Sequence, residues 1–332
     1  MQEYKLEQDT LTLFLALLKP NLPHTLSLYR RLQFQHFSPE ARILSSISPS
    51  ACTQSQNQAQ QWIIAYVDRS RRPETEIFLA SSWENNESTY DVIKNDTTIR
   101  TLVADLVTSV ASLSSQSSNE ANTAPHSSAT NIYTAHLSSP SLVLFGAIHH
   151  TTACVIRDLG LLSPDSIENE GLPEAYHRWV FAVHAAPISS ARFTLADGLS
   201  YGELQESDFS IVRARTSIPR QDRTLRTLPR IAVYDVSAQD GPVAWAFLGV
   251  DGSLSTLHVE EKYRGKGVAR AVAVRLWETN LEVFTGKDGD EKWASADVAT
   301  YNRESNAVCK ALGGKVAYID YWLRVDVKKV VS

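Results

Sequence analysis

Hydrophobic positions along this chain follow two periods, and the change between them marks its elements. Residues 62–68 and 76–83 are compact apolar runs that predict strands joined by a loop carrying Pro73, and residues 97–110 keep helical spacing. Residues 142–147 and 179–183 read again as strands, with a helix-length segment after His149 between them. Two stretches near 48–61 and 112–130 are dominated by Ser, Gln, Asn, Thr and Ala. They hold too little apolar surface to offset the entropy of ordering and read as disordered insertions. Residues 187–201, with Asp197-Gly198 as a turn, form the expected boundary to a second part.

Beyond that boundary the alternation is regular. Ser207-Asp208 is placed to cap a helix through Phe209, Val212 and Arg213, and 224–228 forms another. Strands are expected over 231–235 and 243–250, separated by a turn at Asp240-Gly241-Pro242. Asp251-Gly252 then turns the chain into a strand over 253–259. After a loop, Val268, Val272 and Leu276 share one helical face. A strand over 293–298 precedes a helix opened by Asn302, whose Ser305, Val308, Cys309 and Leu312 share a face before Gly313-Gly314 stops it. A last strand alternates Ile319, Tyr321, Leu323 and Val325 against Tyr318, Asp320, Trp322 and Arg324.

Composition narrows the function. A length of 332 residues fits two domains, and 43% hydrophobic with 21% charged residues suits a globular chain with a sizeable core. The formal net charge of -5 argues against a nucleic-acid or acidic-membrane partner. The apolar run 11–18 is far shorter than the roughly 20 residues of a membrane span, and Glu3, Glu7 and Asp9 against Lys5 give the wrong sign for a secretory leader. Cys52, Cys154 and Cys309 form no C-x-x-C pair, which fits a reducing, cytoplasmic setting without a metal site. Gly146 is the first glycine of the chain, so no glycine-based phosphate loop precedes it and the chemistry is expected in the second part.

There, Arg264-Gly265-Lys266-Gly267-Val268-Ala269 stands where strand gives way to helix. Glycine admits a phosphate close to the backbone, free N–H groups at a helix start point at it, and flanking cations add charge. A tight turn with solvated cations is the competing reading of the loop alone. His149-His150 resembles an H-H-x-x-x-D motif with Cys154 in place of the aspartate, and reads first as a helix entry. No G-x-S-x-G nucleophile elbow occurs. Arg213, Arg215, Arg220, Arg223, Arg226 and Arg230 form a basic run that is either a solvated face or a surface for a carboxylate substrate.

The order of helices, antiparallel strands, glycine loop, helix, strand, helix and strand over about 201–327 resembles the GNAT acyltransferase superfamily. Lys262-Tyr263-Arg264-Gly265-Lys266-Gly267 is similar to its loop pattern Q/R-x-x-G-x-G/A, with Lys262 in the leading place. Asn302-x-x-Ser305 followed by Leu312-Gly313 resembles its second coenzyme-contacting helix. Gly241-Pro242-Val243-Ala244-Trp245, the terminal aromatic strand, and Leu22-Pro23 followed by Leu26 and Tyr29 are similar to the glycine N-acyltransferase-like branch.

The resemblance implies an α/β fold: a mixed, mostly antiparallel GNAT-like sheet flanked by helices over 201–328, preceded by a degenerate GNAT-like α/β domain over 1–190. It implies acetyl-CoA or another acyl-CoA as co-substrate and the primary amine of a small molecule or amino acid as acceptor. Leu257 and Val259 would hold the pantetheine arm by a main-chain edge. Lys262, Arg264, Gly265, Lys266, Gly267, Val268 and Ala269 would receive the diphosphate, and Asn302, also a helix cap, would meet the arm from the other side.

Catalysis is less conventional. Where relatives carry a base glutamate this chain has Ser253, and where they carry an acid tyrosine it has Cys309, on an apolar stripe that reads as core before donor. His258 is an alternative base unless it points to the far face of its strand, while Asp251 and Glu260 read as solvated turn and loop residues. A non-catalytic acyl-CoA-binding or scaffold protein of the same descent is therefore the alternative function. Nothing in the pattern assigns an oligomeric state.

Overall fold

The chain begins with β1 (Gln2–Tyr4), α1 (Gln8–Leu18), α2 (Leu26–Phe34), β2 (Arg42–Ser45), β3 (Ile63–Val67) and β4 (Ile77–Ser81). Helices α3 (Tyr90–Ile93), α4 (Thr97–Ser112) and α5 (Thr130–Ser138) precede β5 (Leu142–His149), α6 (His150–Asp158) and β6 (Ala175–Ala182). There follow β7 (Leu199–Gly202), α7 (Phe209–Ala214), α8 (Asp222–Thr227), β8 (Arg230–Asp235), β9 (Pro242–Leu248) and β10 (Leu254–Val259). Last come α9 (Val268–Asn280), α10 (Glu282–Thr285), β11 (Trp293–Ala299), α11 (Arg303–Ala311) and β12 (Lys315–Asp326). This computed structural model describes residues 1–49, 60–85, 89–113, 130–164, 171–183, 193–216, 218, 220–238, 241–285 and 293–330. Most of the polar stretches near 48–61 and 112–130, Cys52, Asp240 and residues 184–192 of the expected boundary lie outside the described residues.

The chain divides into two units. The first takes Met1–Ala121, Thr130–Tyr176 and Tyr318–Ser332, and the second takes His177–Ala317. In the first, strands run in the order β1-β2-β3-β4-β5-β12. All neighbours are antiparallel except β4 and β5, which pair in parallel at Ile77↔Phe145 and Phe78↔Gly146. Helix α4 packs on this sheet because Ile99, Val103, Leu106 and Val110 fall on one face and are buried. Its start is fixed by Asp96, whose Oδ1 accepts from the amides of Thr98 at 2.8 Å and Ile99 at 3.1 Å. The second unit holds a fully antiparallel sheet in the order β10-β9-β8-β7, with β6 and β11 as a further pair of neighbours. Helix α9 covers it with Val268, Val272 and Leu276, all buried as their spacing predicts.

Three local readings change. Strand β7 lies inside the expected boundary, because pairing of Leu199–Gly202 with β8 supplies the stability that its short sequence does not advertise. Ser207-Asp208 caps no helix by side chain; Asp208 Oδ2 instead accepts from the Gln205 amide at 3.0 Å, closing a capping box one turn earlier. Strand β2 and helix α5 carry too few apolar residues to stand out and appear only in the fold.

After β4 the first unit has no glycine loop. Trp83 is buried there, its Nε1 donating to Thr152 Oγ1 at 2.9 Å, and Thr152 Oγ1 donates to Glu84 Oε1 at 2.5 Å. Burial pushes the Glu84 carboxyl up from 4.5 to about 7 against the opposing hydrogen bonds of Thr152 and Ser81. The unfolded chain loses this proton near pH 4.5 while the folded chain keeps it to about pH 7, so stability falls as pH rises through that window. Glu84→Gln should therefore leave stability at pH 4 unchanged and raise it at pH 8 by about 3 kcal/mol, at about 1.36 kcal/mol per unit. Urea unfolding at the two pH values checks this, and a variant that runs parallel to wild type at both contradicts it.

Candidate functional site

Strand β10 is the spine of the candidate site. It pairs with β9 on one side at Ser255↔Phe247 and His258↔Trp245, with a bulge between these pairs where Thr256 takes φ 52. Just before the strand, Ser253 forms an isolated parallel bridge with Ser295 of β11. Glu260 N donates to Val243 O at 2.9 Å, so by antiparallel alternation the peptide groups of Leu257 and Val259 point away from β9, to the open edge. The Val259 carbonyl is already taken there, accepting from Arg264 Nε at 2.9 Å.

The loop that follows is held from below. Tyr263 is buried and donates its hydroxyl to Asp235 Oδ2 at 2.7 Å. Hydrogen bonds from the Ser237 hydroxyl and from Tyr263 keep the Asp235 carboxyl down at about 2, so it is ionised throughout the working range. Lys262 and Lys266 both approach the Tyr263 ring, with Nζ at 5.3 and 5.6 Å from its centre. Gly265 and Gly267 have φ of 73° and 79°, a left-handed conformation that β-carbon-bearing residues adopt only under strain. Gly267 is the N-cap of α9, and its carbonyl accepts from Arg270 and Ala271, leaving the amides of Val268 and Ala269 as free donors at the helix start. Lys262, Arg264, Lys266 and Arg270 make no salt bridge among the described residues.

Lys262 lies in the single turn Glu261–Tyr263 before the loop, and Gly267 closes the loop as the cap of α9.

Ser255 and His258 of β10 lie across from Phe247 and Trp245, and Ser253 directly precedes the strand. His258 stacks on Trp245 with ring centres 4.6 Å apart, and its Nε2 lies 3.5 Å from Glu260 Oε1, which also accepts from Arg215 Nε at 2.9 Å. Burial lowers the His258 pKa despite the pull of Glu260, which favours the neutral ring. Arg220, in the connection between α7 and α8, reaches the same strand and donates from Nη2 to Ser255 Oγ at 2.9 Å. Ser253 donates its hydroxyl to Asp251 Oδ1 at 2.6 Å. Asp251 is thus not the solvated turn residue its sequence suggests: it is 4% exposed and stands 3.6 Å from Arg178.

Helix α11 supplies the remaining groups. Asn302 Oδ1 accepts from the Ser305 amide at 3.0 Å, the cap its sequence predicts, which leaves Nδ2 as its donor. Cys309 is buried, and burial, with the nearby Asp297 charge, pushes its thiol up to about 12. A thiol held that firmly is a poor proton donor at neutral pH, so the structure favours the core reading of Cys309.

Sequence reasoning missed two anchors here. Asn306 Oδ1 receives Trp179 Nε1 at 2.9 Å and meets His177 Nδ1 at 2.8 Å, while its Nδ2 donates to the carbonyls of Ala299 and Asn302. Arg178, fully buried on β6, donates from Nη1 to both carboxylate oxygens of Asp297 on β11 at 2.7 and 2.6 Å. A lone charge within each of two otherwise strand-like segments was the available signal for this pair.

No curated protein matches the chain by sequence. Among solved structures, a Drosophila protein is similar over 98% of this chain and 97% of its own, at 11% identity and a TM-score of 0.59. A tandem GNAT protein from the clavulanic acid biosynthesis pathway is similar over 97% of this chain and 96% of its own, at 10% identity and a TM-score of 0.46. A GCN5-related N-acetyltransferase from Sphaerobacter thermophilus is similar over 85% and 86%, at 11% identity and a TM-score of 0.44. No described helix is long and apolar enough to cross a membrane. The family described as the acyl-CoA N-acyltransferase verG N-terminal domain matches residues 2–179, more than half of the chain, and to that family of acyl-CoA N-acyltransferases this protein belongs.

Proposed function

We propose that this protein moves an acetyl or other acyl group from acyl-CoA to the primary amine of a small molecule or amino acid, with the coenzyme held by the second unit. The observation that carries the reading is strand β10: one end runs into a glycine loop and helix start with four cations that make no salt bridge among the described residues, and Ser255 and His258 on the strand follow Ser253 just before it. On this reading the open edge at Leu257 and Val259 takes the pantetheine arm, the amides of Val268 and Ala269 with Arg264 and Lys266 take the diphosphate, and Asn302 Nδ2 meets the arm from α11. The first unit's loop after β4 carries buried Trp83 and Glu84 where a cradle would need open backbone, so one coenzyme per chain is expected.

The basic run separates into structural arginines and one candidate anchor. Arg213 pairs with Asp222, Arg215 with Glu260 and Arg226 with Glu206, while Arg223 donates from Nε to Gln221 Oε1 and Arg230 donates to the carbonyls of Leu204, Leu225 and Arg226. Arg220 has only the neutral Ser255 hydroxyl, and its Nε is buried without a hydrogen-bond partner among the described residues. A guanidinium so placed suits the carboxylate of an amino-acid acceptor, in keeping with the glycine N-acyltransferase-like branch. Two strand residues rise roughly 6.7 Å, so Ser253 and Ser255 are separated by a span that a compact amino acid fills with two hydrogen bonds. Buried cysteines without disulfides, Cys154 and Cys309, suit the cytoplasm.

The test is thiol release from acetyl-CoA by the full chain with glycine, glycinamide, benzylamine and hydroxylamine, beside calorimetry of acetyl-CoA. Turnover is expected, with glycine preferred over glycinamide. Arg220→Met should cost glycine about 10- to 150-fold in kcat/KM, the equivalent of about 1.5–3 kcal/mol for a hydrogen bond to a charged group, and leave benzylamine unchanged. Ser253 and Cys309, in place of the usual acid–base pair, favour a second reading, a non-catalytic acyl-CoA-binding scaffold. Tight binding without thiol release from any of the four amines would establish it.

A further inference from the structure

The position at which relatives carry a base glutamate holds Ser253, and its surroundings supply a carboxylate by another route. Ser253 Oγ donates its only proton to Asp251 Oδ1 at 2.6 Å, and the Ser253 amide donates to the same oxygen at 3.3 Å. With its proton so committed, the hydroxyl can only accept from a third group. Asp251 is 4% exposed and Ser253 8%. The other carboxylate oxygen, Asp251 Oδ2, is buried and has no hydrogen-bond partner among the described residues; Arg178 Nη1 stands 3.6 Å away and donates at 2.6 and 2.7 Å to Asp297. A buried carboxylate oxygen in this state is costly and calls for an explanation in packing or chemistry. The backbone is shaped around the pair: a β-carbon at Gly249 would come within 2.9 Å of Asp251 Oδ1 and 3.0 Å of Ser253 Oγ. Ser253 itself forms the isolated parallel bridge with Ser295 of β11.

We propose that Asp251, acting through the Ser253 hydroxyl, receives the proton that the acceptor amine must lose before it attacks the thioester. This rests on the acyl-transfer reading above. The acceptor arrives as an ammonium and donates one N–H to Ser253 Oγ. That proton passes to Ser253 as the serine proton passes to Asp251 Oδ1, leaving a neutral amine and a neutral carboxylic acid. The nitrogen lone pair then forms the C–N bond to the thioester carbonyl carbon. The C–S bond breaks, the sulfur leaves with its electron pair and takes a second proton from the nitrogen, and Asp251 later returns its proton to water through Ser253. One ammonium and one thioester thus give one amide, one thiol and one proton. Ser253 is the group that meets the substrate, and Asp251 is a positioning residue behind it that stores the proton. His258, beyond the bulge and engaged with Trp245 and Glu260, is not needed for the step.

The experiment compares Asp251→Asn and Ser253→Ala with wild type in thiol release from acetyl-CoA, using glycinamide as a protonated acceptor and hydroxylamine as one largely neutral at pH 7. Loss of a general base typically costs 10²- to 10⁴-fold. We expect kcat with glycinamide to fall in that range in both variants, the KM for acetyl-CoA to stay as in wild type, and the loss with hydroxylamine to be less than about 10-fold. The double variant should be no worse than either single one, because the two groups act as a unit. The melting shift given by acetyl-CoA reports folding in each variant, and Ser253→Ala, which deletes one small hydroxyl, carries the test alone if Asp251→Asn does not fold. Equal losses with both nucleophiles, or wild-type rates in Ser253→Ala, overturn the relay and leave acyl transfer standing. No thiol release by wild type with any amine overturns acyl transfer, and the relay with it.

Discussion

Arg178→Met should destabilise the second unit by about 3–5 kcal/mol, the usual cost of removing one partner from a buried ion pair. Arg178 is fully buried, and its Nη1 holds both oxygens of Asp297 while standing 3.6 Å from Asp251. Without the guanidinium both carboxylates stay in a dry environment with their nearest cation gone. Most of the loss is the desolvation of those charges rather than the worth of the pair, so adding Asp297→Asn to Arg178→Met should recover part of it. Denaturant unfolding of the single and double variants measures this. A single variant within about 0.5 kcal/mol of wild type would mean that the pair is not buried in solution.

Gly267→Val should abolish stabilisation by coenzyme A. A ligand that binds only the native state adds about 2.7 kcal/mol at 100 times its dissociation constant, which is readable as a rise in melting temperature. Gly267 has φ 79 and caps α9, so a β-branched side chain strains the backbone at the point where the amides of Val268 and Ala269 must meet the diphosphate. The nearest atom to an added β-carbon, Arg270 Nη2 at 3.3 Å, belongs to a flexible side chain, so the substitution acts through the loop rather than the core. A full melting shift in Gly267→Val would remove the loop from the site.

The loop and the helix it opens were legible because their signals are local. Glycines fix the turn, and Val268, Val272 and Leu276 declare the buried face. Groups whose role depends on a distant partner were misread or missed. Asp251 reads as a solvated turn residue until Ser253, Gly249 and Arg178 close around it, and its burial comes from a strand more than seventy positions earlier in the chain. Arg220 is one of six similar arginines in sequence and separates from them only when the partners of the others, carboxylates for Arg213, Arg215 and Arg226 and neutral oxygens for Arg223 and Arg230, are placed. Strand β7 was missed for a related reason: four residues carry little periodic signal, and only their register with β8 defines them.

Hydrogen exchange of the full chain with and without acetyl-CoA tests most directly whether the coenzyme lies along β10 with its diphosphate on the Arg264 to Ala269 loop. The predicted result is slowed exchange at the amides of Leu257, Val259, Val268 and Ala269, whose N–H groups face the open edge and the helix start, with the β4 strand and Trp83 unchanged. Protection that appears at β4 and Trp83 while Val268 and Ala269 exchange at their free rate would contradict it.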